Sequence, residues 1–263
     1  MVRLTNGENE FRYKYDDIGR LSEKIYPNNI LSKYSYDISG ALKSLEYCKN
    51  GNQIEKHSYS YDEVGNKIGI KRERQGYAKI KELNYKYDPL NRLSEVLDGD
   101  NLIRKYSYDS LGNRIEKYEN GETTRYHYNN LNQLIKEELP GEIRTYKYDK
   151  RGNRIKEFRN NELTKTFKFD ATNYMTEVWN KTKGTAIYDY NGIGNRIGQT
   201  LKRDNNSIEK IDYILDLTRP YKNVIERNIN NTNEQYLWDG DLLGTMEEEL
   251  YLLDELGSPI RFI

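Results

Sequence analysis

The chain has 263 residues, enough to bury a sizeable core as one large domain or two small ones. Only 35% of residues are hydrophobic and 32% are charged, with a mean hydropathy of -1.02, yet 42 basic residues balance 42 acidic ones and 25 residues are Tyr, against 5 Phe and 2 Trp. Disorder calls for high net charge and few aromatics, so this profile points instead to a β-protein held by tyrosine. The zero formal charge removes any general attraction to nucleic acid or anionic membranes. No apolar run approaches the roughly 18 residues of a membrane span, the stretch MVRLTNGENEFRY shows no signal-peptide apolar region, and the lone Cys48 rules out an intrachain disulfide.

Taken in chain order, one pattern returns nine times at intervals of about 20 to 26 residues. YKYDDIGRL carries Tyr13, Tyr15, Asp16 and Gly19, YSYDISGAL carries Tyr34, Tyr36, Asp37 and Gly40, and YSYDEVGNKI carries Tyr59, Tyr61, Asp62 and Gly65. The fourth copy, YKYDPLNRL, has Tyr85, Tyr87 and Asp88, and the fifth, YSYDSLGNRI, has Tyr106, Tyr108, Asp109 and Gly112. Tyr126 and Tyr128 follow in YHYNNLNQL, then Tyr146, Tyr148, Asp149 and Gly152 in YKYDKRGNRI. Phe167, Phe169 and Asp170 replace tyrosine in FKFDATNYM, and Tyr188, Tyr190 and Gly194 close the series in YDYNGIGNRI.

Two rings two residues apart point to the same face of a strand. Apolar residues six before the second ring, such as Ile30, Leu102 and Leu163, keep that parity and predict strands of about seven residues. The following Asp bonds downstream amides and starts a tight turn, and Gly or Asn three residues later supplies a positive φ. A second turn signal lies between copies, at Asn28-Asn29, Asn50-Gly51, Asp98-Gly99, Asn120-Gly121, Pro140-Gly141, Asn160-Asn161 and Asn205-Asn206. The expected fold is all-β, a repetitive antiparallel hairpin meander over residues 1–200.

From Thr200 the rhythm breaks, and residues 201–263 read as a second region. The chain ends at Phe262-Ile263 in what reads as mid-strand, as though truncated.

The nine copies resemble the YD repeats of the Rhs family, of Tc-toxin cocoon subunits and of teneurins. The tail resembles the beginning of an Rhs-associated core domain: Tyr213-Ile-Leu-Asp216 running to Pro220, then Tyr236-Leu-Trp238-Asp239-Gly240, then Tyr251-Leu-Leu-Asp254 with Gly257, Ser258 and Pro259. The resemblance implies a curved ribbon or partial spiral shell enclosing a carboxy-terminal toxin segment, released by aspartates downstream. It also implies export or display at the cell surface. The implied partners are the missing core and toxin segment, with glycans as the alternative, and an isolated piece is expected to self-associate through open sheet edges. The family's Asp-Pro-x-Gly cleavage signature is absent; Asp88-Pro89-Leu90-Asn91 is similar but ends in Asn and is explained as a turn.

No catalytic, metal or cofactor constellation is read from the sequence. His57 and His127 read as strand residues, too few for a metal site, and Gly192-Ile-Gly194 lacks the strand-to-helix context of a dinucleotide loop. Asn180-Lys-Thr182 and Asn205-Asn-Ser207 match the glycosylation acceptor pattern. The tyrosine pairs admit two readings, cross-strand stacking or a ligand platform. Parity leaves open which rings are wet. The sequence therefore predicts a non-catalytic scaffold, with a carbohydrate-binding adhesion module as the alternative.

Overall fold

The computed structural model describes residues 2–6, 9–77, 80–219, 221–246 and 249–262. Pro220 and Ile263 lie outside the described residues. Among those described there is no helix, and 23 of the 25 strands belong to one antiparallel sheet, the other two being Tyr251–Leu253 and Pro259–Phe262, which pair with each other. Pairing follows chain order: Asn9–Tyr15 with Leu21–Ile25, Leu21–Ile25 with Ile30–Tyr36, Ile30–Tyr36 with Leu42–Lys49, and onward in the same way. The all-β meander expected from the spacing is what forms.

The turns between copies show why. At Asn50-Gly51, Asn120-Gly121 and Asn160-Asn161 both central residues have positive φ, the primed geometry whose twist matches that of the flanking strands. Strand lengths also agree with the parity argument, seven residues for Ile30–Tyr36, Glu122–Tyr128 and Glu142–Tyr148.

Parity fails at two of the three apolar positions named for it. Ile30 is fully buried, whereas Leu102 is 40% exposed and Leu163 only half-buried. The register shifts between Leu102 and Arg104, and Phe158 and Glu157 face Leu163 and Lys165, so each strand carries a bulge that inserts one residue and resets the alternation.

The chain divides into two compact units. The first comprises residues 1–106, 118–121 and 252–262, and the second residues 107–117 and 122–251. In the first unit Phe11, Tyr26, Ile30, Leu45, Tyr47 and Val96 are almost wholly buried, together with His57 and Ser32. Leu252 and Leu253 join that core from the far end of the sequence. In the second unit the buried residues are sparser, among them Tyr146, Ile211, Leu237 and Leu243.

Candidate functional site

The repeated corner is the first candidate. At Asp62 one carboxylate oxygen accepts the Val64 amide (3.1 Å) and the Asn66 amide (2.7 Å), and the Asp62 carbonyl accepts the Gly65 amide at 3.1 Å. The same two side-chain bonds, to the second and fourth residues onward, recur at Asp16, Asp88, Asp109, Asp149 and Asp170, and Asn129 and Asn191 make them with an amide oxygen. Asp37 binds the Ala41 amide likewise. Gly19, Gly40, Gly65, Gly112, Gly152 and Gly194, and Asn91, Asn132 and Asn173 in the other copies, all take positive φ. The Asn113 and Asn153 side-chain amides lead in holding the Asp109 and Asp149 carboxyls below the usual range. These aspartates are ionised acceptors spent on backbone, Asp88 of the cleavage-like stretch included.

In six copies the second ring of the pair has the same task. Tyr36 donates its hydroxyl to the Leu21 carbonyl (2.8 Å), Tyr61 to Leu42 (3.1 Å) and Tyr87 to Lys67 (2.8 Å). Tyr128, Tyr148 and Tyr190 reach Arg114, Leu134 and Met175 at 2.7–3.0 Å. Every acceptor is the first residue of the strand leaving the preceding corner. Each hydroxyl thus staples one hairpin to the one before it. Bridges between corners reinforce this: the Nδ2 groups of Asn66, Asn113 and Asn153 donate to the side-chain oxygens of Asn91, Asn132 and Asn173.

The first rings face the same side and Tyr13, Tyr59 and Tyr146 are buried. Tyr34, Tyr85, Tyr106, Tyr126, Phe167 and Tyr188 are half-buried. The expected ladder of stacked rings is modified. Tyr174 and Tyr190 do stack, at 5.0 Å, but Arg20 lies over Tyr36, Arg114 over Tyr126, Arg154 over Tyr146 and Phe167, and Arg196 over Tyr188, at 4.4–5.3 Å. Alternating rings with cations gains attraction to the ring face and keeps the charge partly hydrated. The recurrent Arg just after the corner glycine, in GNR and GR, is the signal that would have announced it. Tyr15 and Phe169 lack the staple in different ways: Tyr15 is 48% exposed, and Phe169 has no hydroxyl.

The tail residues follow the same geometry. Asp254 accepts the Leu256 and Ser258 amides, each at 2.9 Å, and its carbonyl takes the amide of Gly257, whose φ is 75°. Pro259 opens the strand that follows. Trp238 donates its indole N–H to the Val224 carbonyl, the tyrosine staple in another residue, and Asp239 starts a shorter turn through Gly240 by binding the Asp241 amide. Asp216 takes the Thr218 amide and hydroxyl. Reading aromatic-x-apolar-Asp as a variant of Tyr-x-Tyr-Asp would have found these corners.

The second candidate is a buried polar chain inside the first unit. Glu55 and His57 share one face of the strand Asn52–Tyr61. His57 Nε2 lies 3.0 Å from Glu55, its Nδ1 lies 3.3 Å from the Tyr59 hydroxyl, and that hydroxyl donates to Glu255 at 2.8 Å. Lys67 closes the chain with an ion pair to Glu255. Burial, then the Glu255 bond, pushes the Tyr59 phenol far above its ordinary range; burial works to raise Glu255, but Lys67 and the Tyr59 hydroxyl bring it below the usual value. Beside it the Tyr47 hydroxyl donates to the Leu253 carbonyl (2.6 Å) and accepts the Leu253 amide (3.1 Å). These contacts tie residues 252–262 to strands about 200 positions earlier in the chain. His127, by contrast, is 45% exposed at its side chain and faces Glu138. Among the described residues no three His, Cys, Asp or Glu side chains are grouped to hold a metal, and Cys48 is a buried free thiol beside Glu46.

The comparisons agree with this geometry. The crystal structure titled TcdB2-TccC3 superposes on 97% of the chain with a TM-score of 0.52 at 14% identity, the match occupying 18% of that chain, and so shares the fold. Mouse Teneurin-4 is 23% identical across 94% of the chain, and tRNA nuclease WapA of Bacillus subtilis (strain 168) is 30% identical across 69%. The chain spans only 9% and 8% of those relatives' lengths. A family model described as teneurin YD-shell matches residues 25–214, which cover the stapled corners from Asp37 to Asn191, and this protein belongs to that family.

Proposed function

We propose that this chain is a wall segment of a longer protein's shell, itself non-catalytic, and that the shell encloses a carboxy-terminal toxin or effector segment for delivery or contact-dependent competition. Residues 201–263 would be the beginning of the core domain, and the whole protein would act outside the cell or at its surface. The observation that carries the reading is that corner carboxylates and ring hydroxyls are consumed by backbone. Corner Asp or Asn side chains bonded to backbone in all nine copies, and ring hydroxyls bonded in six, serve to hold a wall and are poorly placed to act on a substrate. That commitment also weighs against the glycan platform, since six of the second-ring hydroxyls are already donated to backbone carbonyls. The nuclease activity in the WapA relative's name is that protein's, and the chain corresponds to only 8% of its length.

The test is limited proteolysis of the full-length gene product. The segment beyond residue 263 should resist protease while the shell is folded and be digested once it is unfolded. Equal rates of cutting in the two states would contradict enclosure. The isolated chain should self-associate through its sheet edges, and a mass by light scattering that stays monomeric at all concentrations would contradict that part.

A further inference from the structure

A cavity of about 290 Å³ lies within the first unit, lined by Glu55, His57, Arg72, Arg74, Lys81 and Ile260, with Tyr77 beside them. The sheet register builds it. His57 is opposite Arg72, Arg72 is in turn opposite Lys81, and Glu55 is opposite Arg74. Three cations therefore meet one carboxylate and one imidazole, whose two nitrogens are already engaged with Glu55 and Tyr59. Glu55 spends its charge on Arg74 at 3.2 Å. Arg72 Nε is buried with no hydrogen-bond partner, and Glu55 Oε2 is buried and accepts no hydrogen bond. A buried guanidinium N–H without a partner is unfavourable, and here it borders the cavity, where an anion would satisfy it. Tyr77 is 67% exposed, with Arg74 over its ring at 5.5 Å, and stands at the rim.

We propose that this cavity is a binding site for a small phosphomonoester dianion. Two positive charges in excess suit a dianion better than a single carboxylate. Arginine forks donate in pairs to phosphate oxygens, and a lysine adds a point charge. Glu55 Oε2, ion-paired with Arg74 but accepting no hydrogen bond, would accept a hydroxyl of the ligand, which favours an ester of a small polyol over bare phosphate. The volume, at the lower end for ligand pockets, fits a molecule of that size.

Isothermal titration calorimetry of the purified chain with inorganic phosphate, glycerol 3-phosphate and acetate tests this. Saturable binding is expected for both phosphates, weakening as salt rises, with acetate about tenfold weaker or more. Arg72→Gln and Lys81→Gln should each weaken phosphate binding by about tenfold or more, and Lys81, being exposed, can be changed with little risk to folding. Lys183→Gln, at a separate basic cavity formed by Arg159, Lys165, Lys181 and Lys183 in the second unit, should leave the affinity unchanged. No saturable heat with the unmodified chain, equal affinity for acetate, or wild-type affinity in Lys81→Gln would overturn the proposal, as would loss of binding in Lys183→Gln.

Discussion

At the scale of single residues the corner asks for a backbone conformation that most side chains resist. Gly65 has a φ of 89° and open space where a Cβ would sit, so substitution there tests conformation without a clash. Gly65→Ala should destabilise the chain by about 1 kcal/mol. Gly65→Asn should cost less, since Asn fills the equivalent position at Asn91, Asn132 and Asn173. Equal urea midpoints for the two variants would contradict this account. Gly194 differs, because the Tyr174 hydroxyl lies against the space a Cβ would need, and Gly194→Ala should cost more than Gly65→Ala. The staple gives a parallel test. Tyr148→Phe removes the hydroxyl that donates to Leu134 and should cost about 0.5–1.5 kcal/mol in denaturant unfolding, whereas Tyr15→Phe, at an exposed ring, should change stability by less than about 0.5 kcal/mol.

At the scale of elements, a hairpin can be fixed twice, by a primed turn at one end, as at Asn120-Gly121 and Asn160-Asn161, and by a stapled corner at the other, as at Tyr128 and Tyr148. The face opposite the rings adds cross-strand pairs in register, Lys14 with Glu23, Lys86 with Glu95 and Lys168 with Glu177, each worth about 0–1 kcal/mol. The segment 252–262 depends on fewer bonds. Glu255→Gln and Tyr47→Phe should raise its amide exchange and protease sensitivity, each by an opening free energy lower by about 1–3 kcal/mol, while the hairpins between residues 122 and 238 stay unchanged. Glu255 has a folded pKa below its unfolded one, so the tie is intact above the unfolded value and is lost as the pH falls through the folded value. The turns and corners were legible in the sequence because their φ demands select Gly, Asn and Asp at fixed offsets. The staples were not, since their acceptors are carbonyls, which any residue supplies. Leu102 misled because a bulge leaves no mark in the side-chain pattern, and the Tyr47–Leu253 contact because nothing local announces a partner 206 residues away.

At the scale of the whole molecule, a chain that is 35% hydrophobic holds, among the described residues, a sheet of 23 strands by distributing the work over many small polar bonds. Acid should therefore unfold it cooperatively. Asp62, Asp88, Asp109, Asp149 and Asp170 all have folded pKa values below the ordinary one, so their contribution is complete above the unfolded value of about 3.9 and disappears as the pH falls through the folded values. Urea midpoints should hold steady near neutrality and drop below that point. Residue-resolved hydrogen exchange of the folded chain bears most directly on the claim that every corner is structural. The amides of Arg20, Ala41, Asn66, Arg92, Asn113, Gln133, Asn153, Tyr174 and Asn195, four residues beyond the corner Asp or Asn, should be protected like neighbouring strand amides. Exchange of these amides at the rate of an unstructured loop would contradict it.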